Sequence, residues 1–167
     1  MKNKKLYQRL YDVFASRVDV YAQCYRNKKE KRWAYKSTKE KYTLDILHKH
    51  VNDANCEGIG IYPLLEGNNT KWIAADFDYH SAAERSEAEA AMLTMVEVAD
   101  EIGLKYYIET SKSGNGIHVW IFFSSEIESW KARRLMGGFL LACKADHLSS
   151  MDRFFPSQDR LYETSKG

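Results

Sequence analysis

Lys71-Trp-Ile-Ala-Ala-Asp-Phe-Asp78 is a short apolar run that ends in two carboxylates. Read with the period of two of a β-strand, it sends Ile73, Ala75 and Phe77 to one face and Asp76 and Asp78 to the other. Residues two apart on a strand have Cα atoms ~7 Å from each other. Across that span two carboxylates converge on one metal ion, or on a pair of ions about 3.5–4 Å apart. Such a pair is costly at the end of an apolar strand unless it faces water or a cation. A solvated strand end entering a turn is the plainer alternative.

Working outward, Gly58-Ile-Gly-Ile-Tyr-Pro-Leu-Leu65 is a second strand-like run, separated from the first by Glu66-Gly-Asn-Asn-Thr70. The pattern predicts a β-hairpin of 58–65 with 71–78. Ser81 to Ile102 predicts a helix, Ala-rich, with Glu in its first turns and Met92, Met95, Val96, Ala99 and Ile102 as its apolar stripe before Gly103. Leu104–Glu109 and Ile117–Phe123 then predict a second strand pair, joined through Ser111-Lys-Ser-Gly-Asn-Gly116. Alternation places His118, Trp120 and Phe122 on one face of the latter strand, and Ile117, Val119 and Ile121 on the other. A further helix is expected over about Ile127 to Ala145, and Ser149 onward opens a candidate last strand. Towards the start, Lys4 to Ala15 and Leu44 to Asn52 have helical spacing, the second with Thr43 as its N-cap. Between them, Arg26-Asn-Lys-Lys-Glu-Lys-Arg32 is interleaved with Tyr21, Tyr25, Trp33 and Tyr35. That stretch is either a solvated loop or hairpin, or one whose cations meet phosphates while its rings stack on bases.

The chain has 167 residues, 44% of them hydrophobic and 29% charged, which is the composition of a globular domain and excludes disordered and collagen-like classes. Its apolar stretches fall far short of the ~20 residues of a spanning helix, and its Lys-rich start lacks a signal peptide's apolar segment. The expectation is a cytoplasmic protein with no membrane partner. Net charge is +2, yet residues 1–50 hold 14 Lys/Arg against 5 Asp/Glu, while residues 51–167 hold 11 against 18. A basic segment suited to a polyanion thus precedes an acidic one that is solvated or holds cations. Cys24, Cys56 and Cys143 contain no C-x-x-C pair, and the five histidines form no familiar zinc arrangement. Any metal chemistry must come from carboxylates.

Three further features gather around Asp76 and Asp78. The turn Ser111-Lys112-Ser113-Gly114-Asn115-Gly116 offers hydroxyls, a cation and backbone N–H groups able to form an anion-binding nest, followed by His118 in the next strand. That set suits a triphosphate. Asp152, in Ser150-Met-Asp-Arg-Phe-Phe155, is a candidate third carboxylate, with Asp159 as its competitor. Either could instead pair with Arg153 or Arg160. Three clustered carboxylates repel one another and raise one another's pKa, which gives a divalent ion a reason to bind.

These residues resemble the motifs of the archaeo-eukaryotic primase superfamily of primase-polymerases. The D-x-D corresponds to Asp76-Phe-Asp78, the S-x-G-x-H-like turn to Ser113-Gly-Asn-Gly-Ile-His118, and the hydrophobic-Asp motif to Met151-Asp152. The chain looks closest to the prokaryotic branch of conflict-system (TOTE-type) and CRISPR-associated primase-polymerases. Arg17-Val-Asp-Val-Tyr-Ala22, Ile61-Tyr-Pro-Leu-Leu65, His118-Val-Trp-Ile-Phe122 and Asp152-Arg-Phe-Phe-Pro-Ser-Gln-Asp159 carry that likeness, which runs from about residue 6 to 160. Relatives often have a cysteine-containing insertion where Lys36 to Lys41 lies here. In relatives a Gly-Asn-Leu-Ile-like strand follows the third motif. The resemblance therefore leads us to expect a core cut near its C-terminus from a longer protein, with its sheet lacking a strand.

The resemblance implies an α+β fold with an RRM-like antiparallel sheet (ββαββα) packed with helices. A basic N-terminal module, 1–57, would precede the catalytic module, 58–167. It further implies template-directed nucleotidyl transfer from dNTPs or NTPs on a DNA template and primer, or on RNA, in the setting of CRISPR or conflict-system proteins. Asp76, Asp78 and Asp152 would hold two Mg²⁺ or Mn²⁺ ions. Ser111, Lys112, Ser113, Gly114, Asn115, Gly116 and His118 would bind the nucleotide, and Tyr35, Lys36, Asp159 and Arg160 complete the candidate set. The alternative is a non-catalytic nucleotide- or nucleic-acid-binding domain with a similar sheet, which would not need the carboxylates.

Overall fold

The computed structural model describes every residue except 1, 30, 31, 54–57, 112 and 163–167. The chain divides into two compact units, Met1–Gly67 with Leu161–Gly167, and Asn68–Arg160.

In the first unit, helix α1 (Lys2–Phe14) precedes strands β1 (Ala22–Asn27) and β2 (Arg32–Ser37), helix α2 (Leu44–Asn52) and the short strand β3 (Ile59–Gly60). The basic stretch is therefore a hairpin, with Arg26 opposite Trp33 and Asn27 opposite Arg32. Strand β3 pairs with the other edge of β1, giving the antiparallel order β2-β1-β3. Thr43 caps α2 as the sequence predicts, its side chain accepting from the Ile46 N–H. A small core joins the pieces: Ala15, Tyr21, Tyr42 and Leu47 are buried, with Leu10, Tyr11, Leu44, Ile46, Ile59 and Ile61 packed against them. The Tyr11 hydroxyl donates to the Tyr42 carbonyl at 2.9 Å.

The second unit contains β4 (Asn69–Asp78), α3 (Ala82–Glu101), β5 (Tyr107–Thr110), β6 (Gly116–Glu128), α4 (Ser129–Ala142) and β7 (Met151–Phe155). Its four-stranded sheet has the order β5-β6-β4-β7, and all three pairings are antiparallel. Ile73, Ala75 and Phe77 of β4 and Ile117, Val119 and Ile121 of β6 form the core face. Ala88, Ala91, Met95 and Ala99 of α3, and Ala132, Met136, Phe139 and Leu140 of α4, pack against it. Ser81 starts α3, its hydroxyl accepting from the Glu84 N–H at 3.2 Å.

Two expectations need correction. The hairpin of 58–65 with 71–78 does not form: Ile59 and Gly60 pair with β1, and 61–65 is not strand. Pro63 has no N–H to give a ladder, and both edges of β4 are taken, by β6 on one side and β7 on the other. The helix expected from Ile127 begins at Ser129, because β6 continues to Glu128, where Asn69 faces it. The second unit is accordingly β-α-β-β-α-β from residue 69. The element order also gains the hairpin β1–β2 between the first two helices.

Candidate metal centre

Alternation along β4 does what the sequence predicts. Phe77 is fully buried while Asp76 is half-buried and Asp78 exposed on the opposite face. On one side Asp76 stands opposite His118 and Asp78 opposite Gly116. On the other side the register slips: Asp76 pairs with Arg153, but Phe77 pairs with Met151. Asp152 is the extra residue of this β-bulge, and a bulge is a means of re-aiming one side chain. One carboxylate oxygen from each of Asp76, Asp78 and Asp152 lies within 4.8 Å of the others. Asp159 is not in this group; its carboxylate pairs with Arg133 Nε at 2.7 Å.

The electrostatics fit a hard cation. Asp76 Oδ1 is buried and makes no hydrogen bond. Its neighbour is His118 Nε2, 3.2 Å away as an ion-pair contact. The Asp78 carboxyl lies above the usual range, first because burial disfavours its charge, then because Asp76 and Asp152 repel it. Oxygen donors and the mutual repulsion of the carboxylates match the needs of Mg²⁺ or Mn²⁺.

His118 sits between two carboxylates, with Nε2 toward Asp76 and Nδ1 3.2 Å from Glu109 Oε2. Burial alone would lower its pKa, but the contacts to Asp76 and Glu109 outweigh this and push it up to about 10. The ring is cationic at neutral pH. Glu109 also accepts from Trp120 Nε1 at 2.9 Å, so it fixes two neighbours on the same face of β6. Sequence reading missed Glu109, although the signal was present. Ser111 donates its N–H to Gly116 across the turn, and counting back from that closure puts Glu109 opposite His118. Arg153, which the sequence offers as a salt-bridge partner of Asp152 or Asp159, pairs with Asp152. That hydrogen bond chiefly raises its pKa, with Asp152, Asp76 and Asp78 adding charge attraction.

The turn before β6 is tied from both ends. Ser111 Oγ and Ser113 Oγ lie 3.0 Å apart, and the Asn115 N–H reaches Ser113 Oγ at 3.1 Å. The Gly114 N–H donates to the Ser111 carbonyl, the Tyr79 N–H to the Asn115 carbonyl, and the Tyr79 hydroxyl to the Gly114 carbonyl. The Gly114 and Asn115 N–H groups are thus engaged inside the turn. Neither of those two groups is then available to the anion-binding nest that the sequence suggests. Lys112 lies outside the described residues. Tyr35 and Lys36 are on β2, in the first unit, and the Arg160 carbonyl accepts from Gln158 Nε2 at 2.8 Å.

Gly116 has a steric reason of its own. A Cβ there would stand 2.8 Å from Asp78 Oδ1, 2.9 Å from the Phe77 carbonyl oxygen and 3.1 Å from Ser111 Oγ. Backbone and carboxylate cannot both yield. Gly116→Ala is expected to destabilise the domain by about 1–3 kcal/mol and to weaken Mn²⁺ binding, as followed by thermal melting and metal titration.

Among the described residues no helix is long and apolar enough to cross a membrane. None of the curated proteins compared with the chain matches it. The family model for the archaeo-eukaryotic primase domain of TOTE conflict systems matches residues 5–167, almost end to end. With its antiparallel α+β architecture and its D-x-D strand end against a third carboxylate, the chain belongs to that primase-domain family.

Proposed function

We propose that the domain is a primase-polymerase that joins nucleotides to a growing strand under the direction of a DNA template. Support comes from membership in a family of primase- and polymerase-like nucleotidyl-transfer domains that typically use divalent metals. The single observation that carries the proposal is the convergence of Asp76, Asp78 and Asp152, with their ligand oxygens within 4.8 Å of one another. In the reaction, a strand's 3′-oxygen forms a bond to the α-phosphorus of a nucleoside triphosphate as the bond to pyrophosphate breaks. The three aspartates would hold two Mg²⁺ or Mn²⁺ ions, which when bound acidify the 3′-hydroxyl and neutralise charge on the phosphates.

The chain's own groups do the rest. His118, cationic and oriented by Glu109, supplies positive charge beside the carboxylates for the triphosphate. Ser111 and Ser113 supply hydroxyl donors at the mouth of the turn. The strand end of β4, braced by β6 and β7, holds Asp76 and Asp78 on a rigid element, as precise positioning requires.

A sheet that only binds nucleic acid would make no use of the metal. Titration with a labelled nucleoside triphosphate separates the two. The expected result is binding that requires Mg²⁺ or Mn²⁺, disappears in EDTA and is lost in the Asp76→Ala/Asp78→Ala protein. Equal binding with and without metal would favour the non-catalytic alternative.

A further inference from the structure

The sheet of the first unit has a face that the chemistry above leaves unused. Residues opposite each other on paired strands point the same way, so Cys24 with Tyr35 and Arg26 with Trp33 share one face of β1–β2. Cys24 is buried there, whereas Trp33 and Tyr35 are 50% and 61% exposed. Two glycines explain the posture of Tyr35. A Cβ at Gly60 would lie 3.5 Å from Tyr35 Cδ1, and one at Gly58 would lie 3.5 Å from its hydroxyl. The Tyr35 ring thus comes close to Gly58 and Gly60, where the lack of a side chain leaves it room.

Trp33, two residues earlier on the same strand, is ~7 Å away along β2. The Arg26 guanidinium sits 5.3 Å from its ring centroid. Between residues 22 and 37 the sequence places six Lys or Arg against one Glu. Lys28 and Lys29 stand exposed at the hairpin turn. Flat exposed rings, a cation stacked on one of them and a surplus of positive charge are what single-strand binders combine. A duplex keeps its base faces stacked on each other and offers nothing to such rings.

We propose that this face is a stacking platform for consecutive bases of a single-stranded polynucleotide, with Tyr35 and Trp33 beneath the bases and Arg26, Lys28 and Lys29 toward the phosphates. It deepens the polynucleotide part of the function proposed above and rests on that reading for its biological use. Its test needs no metal. Fluorescence anisotropy in EDTA would follow labelled oligo(dT), oligo(U) and an abasic strand of equal length. Trp33→Ala and Tyr35→Ala are each expected to weaken binding of the base-bearing strands roughly tenfold, in the range that stacking on one ring supplies. Trp33→Phe and Tyr35→Phe should retain it, and the abasic strand should bind weakly to all of these proteins alike. Tighter binding of oligo(dT) would assign the platform to DNA, and tighter binding of oligo(U) to RNA. Wild-type affinity in both alanine variants, or abasic binding as tight as oligo(dT), would overturn the platform. If Tyr35→Ala unfolds the small sheet, Trp33→Ala against Trp33→Phe carries the test. Loss of metal-dependent nucleotide binding would sink the catalytic proposal alone, and unaltered anisotropy in the alanine variants the platform alone.

Discussion

Asp78→Asn is expected to lower nucleotide incorporation by roughly a thousandfold or more while making the metal-free protein more stable. The first effect follows from removing a charged ligand: metal ions contribute several kcal/mol of charge stabilisation in the transition state, and each ~1.4 kcal/mol is a factor of ten. The second effect has the opposite sign to ordinary damage. Burial, then Asp76 and Asp152, raise the Asp78 pKa in the folded chain. A carboxyl whose folded pKa is raised favours the native state below its unfolded pKa, and that stability is lost as pH rises through the folded value. At neutral pH in EDTA the ionised Asp78 is therefore a liability, and neutral Asn relieves it. Thermal melts in EDTA should show a higher midpoint for Asp78→Asn than for the native chain. The difference should shrink as the pH falls below the ordinary aspartate range. Saturating Mn²⁺ should reverse the order, because only the native chain gains the ion's binding energy. A variant that loses activity and stability together under every condition would instead point to a disrupted strand end.

Phe77→Ala carries the largest expected loss of stability. Phe77 is fully buried, lies between the two aspartates in sequence, faces Ile117 across β6, and belongs to the core formed with α3 and α4. Truncating a buried Phe removes its transfer energy and leaves a cavity, at a cost of about 3–5 kcal/mol. Against a typical total of about 5–15 kcal/mol, that is a large fraction. A midpoint lowered by roughly 10 °C follows for a chain of this size. Because β4 carries the carboxylates, metal affinity should fall along with stability. Phe77→Leu, which keeps most of the volume, should show a much smaller loss of both. Equal melting of Phe77→Ala and the native protein would mean that the strand is not anchored as described.

The site's β4 and β6 faces were legible because alternation is local. Ile73, Ala75 and Phe77 could point inward only by sending Asp76 and Asp78 outward, and the same holds for Ile117 and Val119 against His118. The β5–β6 pair was legible for a similar reason, since Ser111 to Gly116 is a short closed turn. Helix α3 was readable from its alanines and its Gly103 stop, and α2 from Thr43. What escaped was non-local. Ile59 and Gly60 have strand-like neighbours, but nothing in their sequence says that β1 is their partner. The bulge that brings Asp152 to Asp76 and Asp78 is a one-residue slip between strands separated by more than seventy positions, and periodicity carries no trace of it. For the same reason the sequence left Asp152 and Asp159 as rivals. The fold separates them by re-aiming one and pairing the other with Arg133. Gly116 was read as a flexible backbone donor, whereas the geometry gives it a steric role under the Asp78 carboxylate.

Single-nucleotide extension of a primed DNA template, with one dNTP or NTP supplied at a time in Mg²⁺ or Mn²⁺, tests the central claim most directly. The predicted result is a one-nucleotide product formed only with the nucleotide complementary to the template base, absent in EDTA and in the Asp78→Asn protein. A folded chain that yields no product with any nucleotide or metal, or an Asp78→Asn protein that extends as well as the native one, would contradict it.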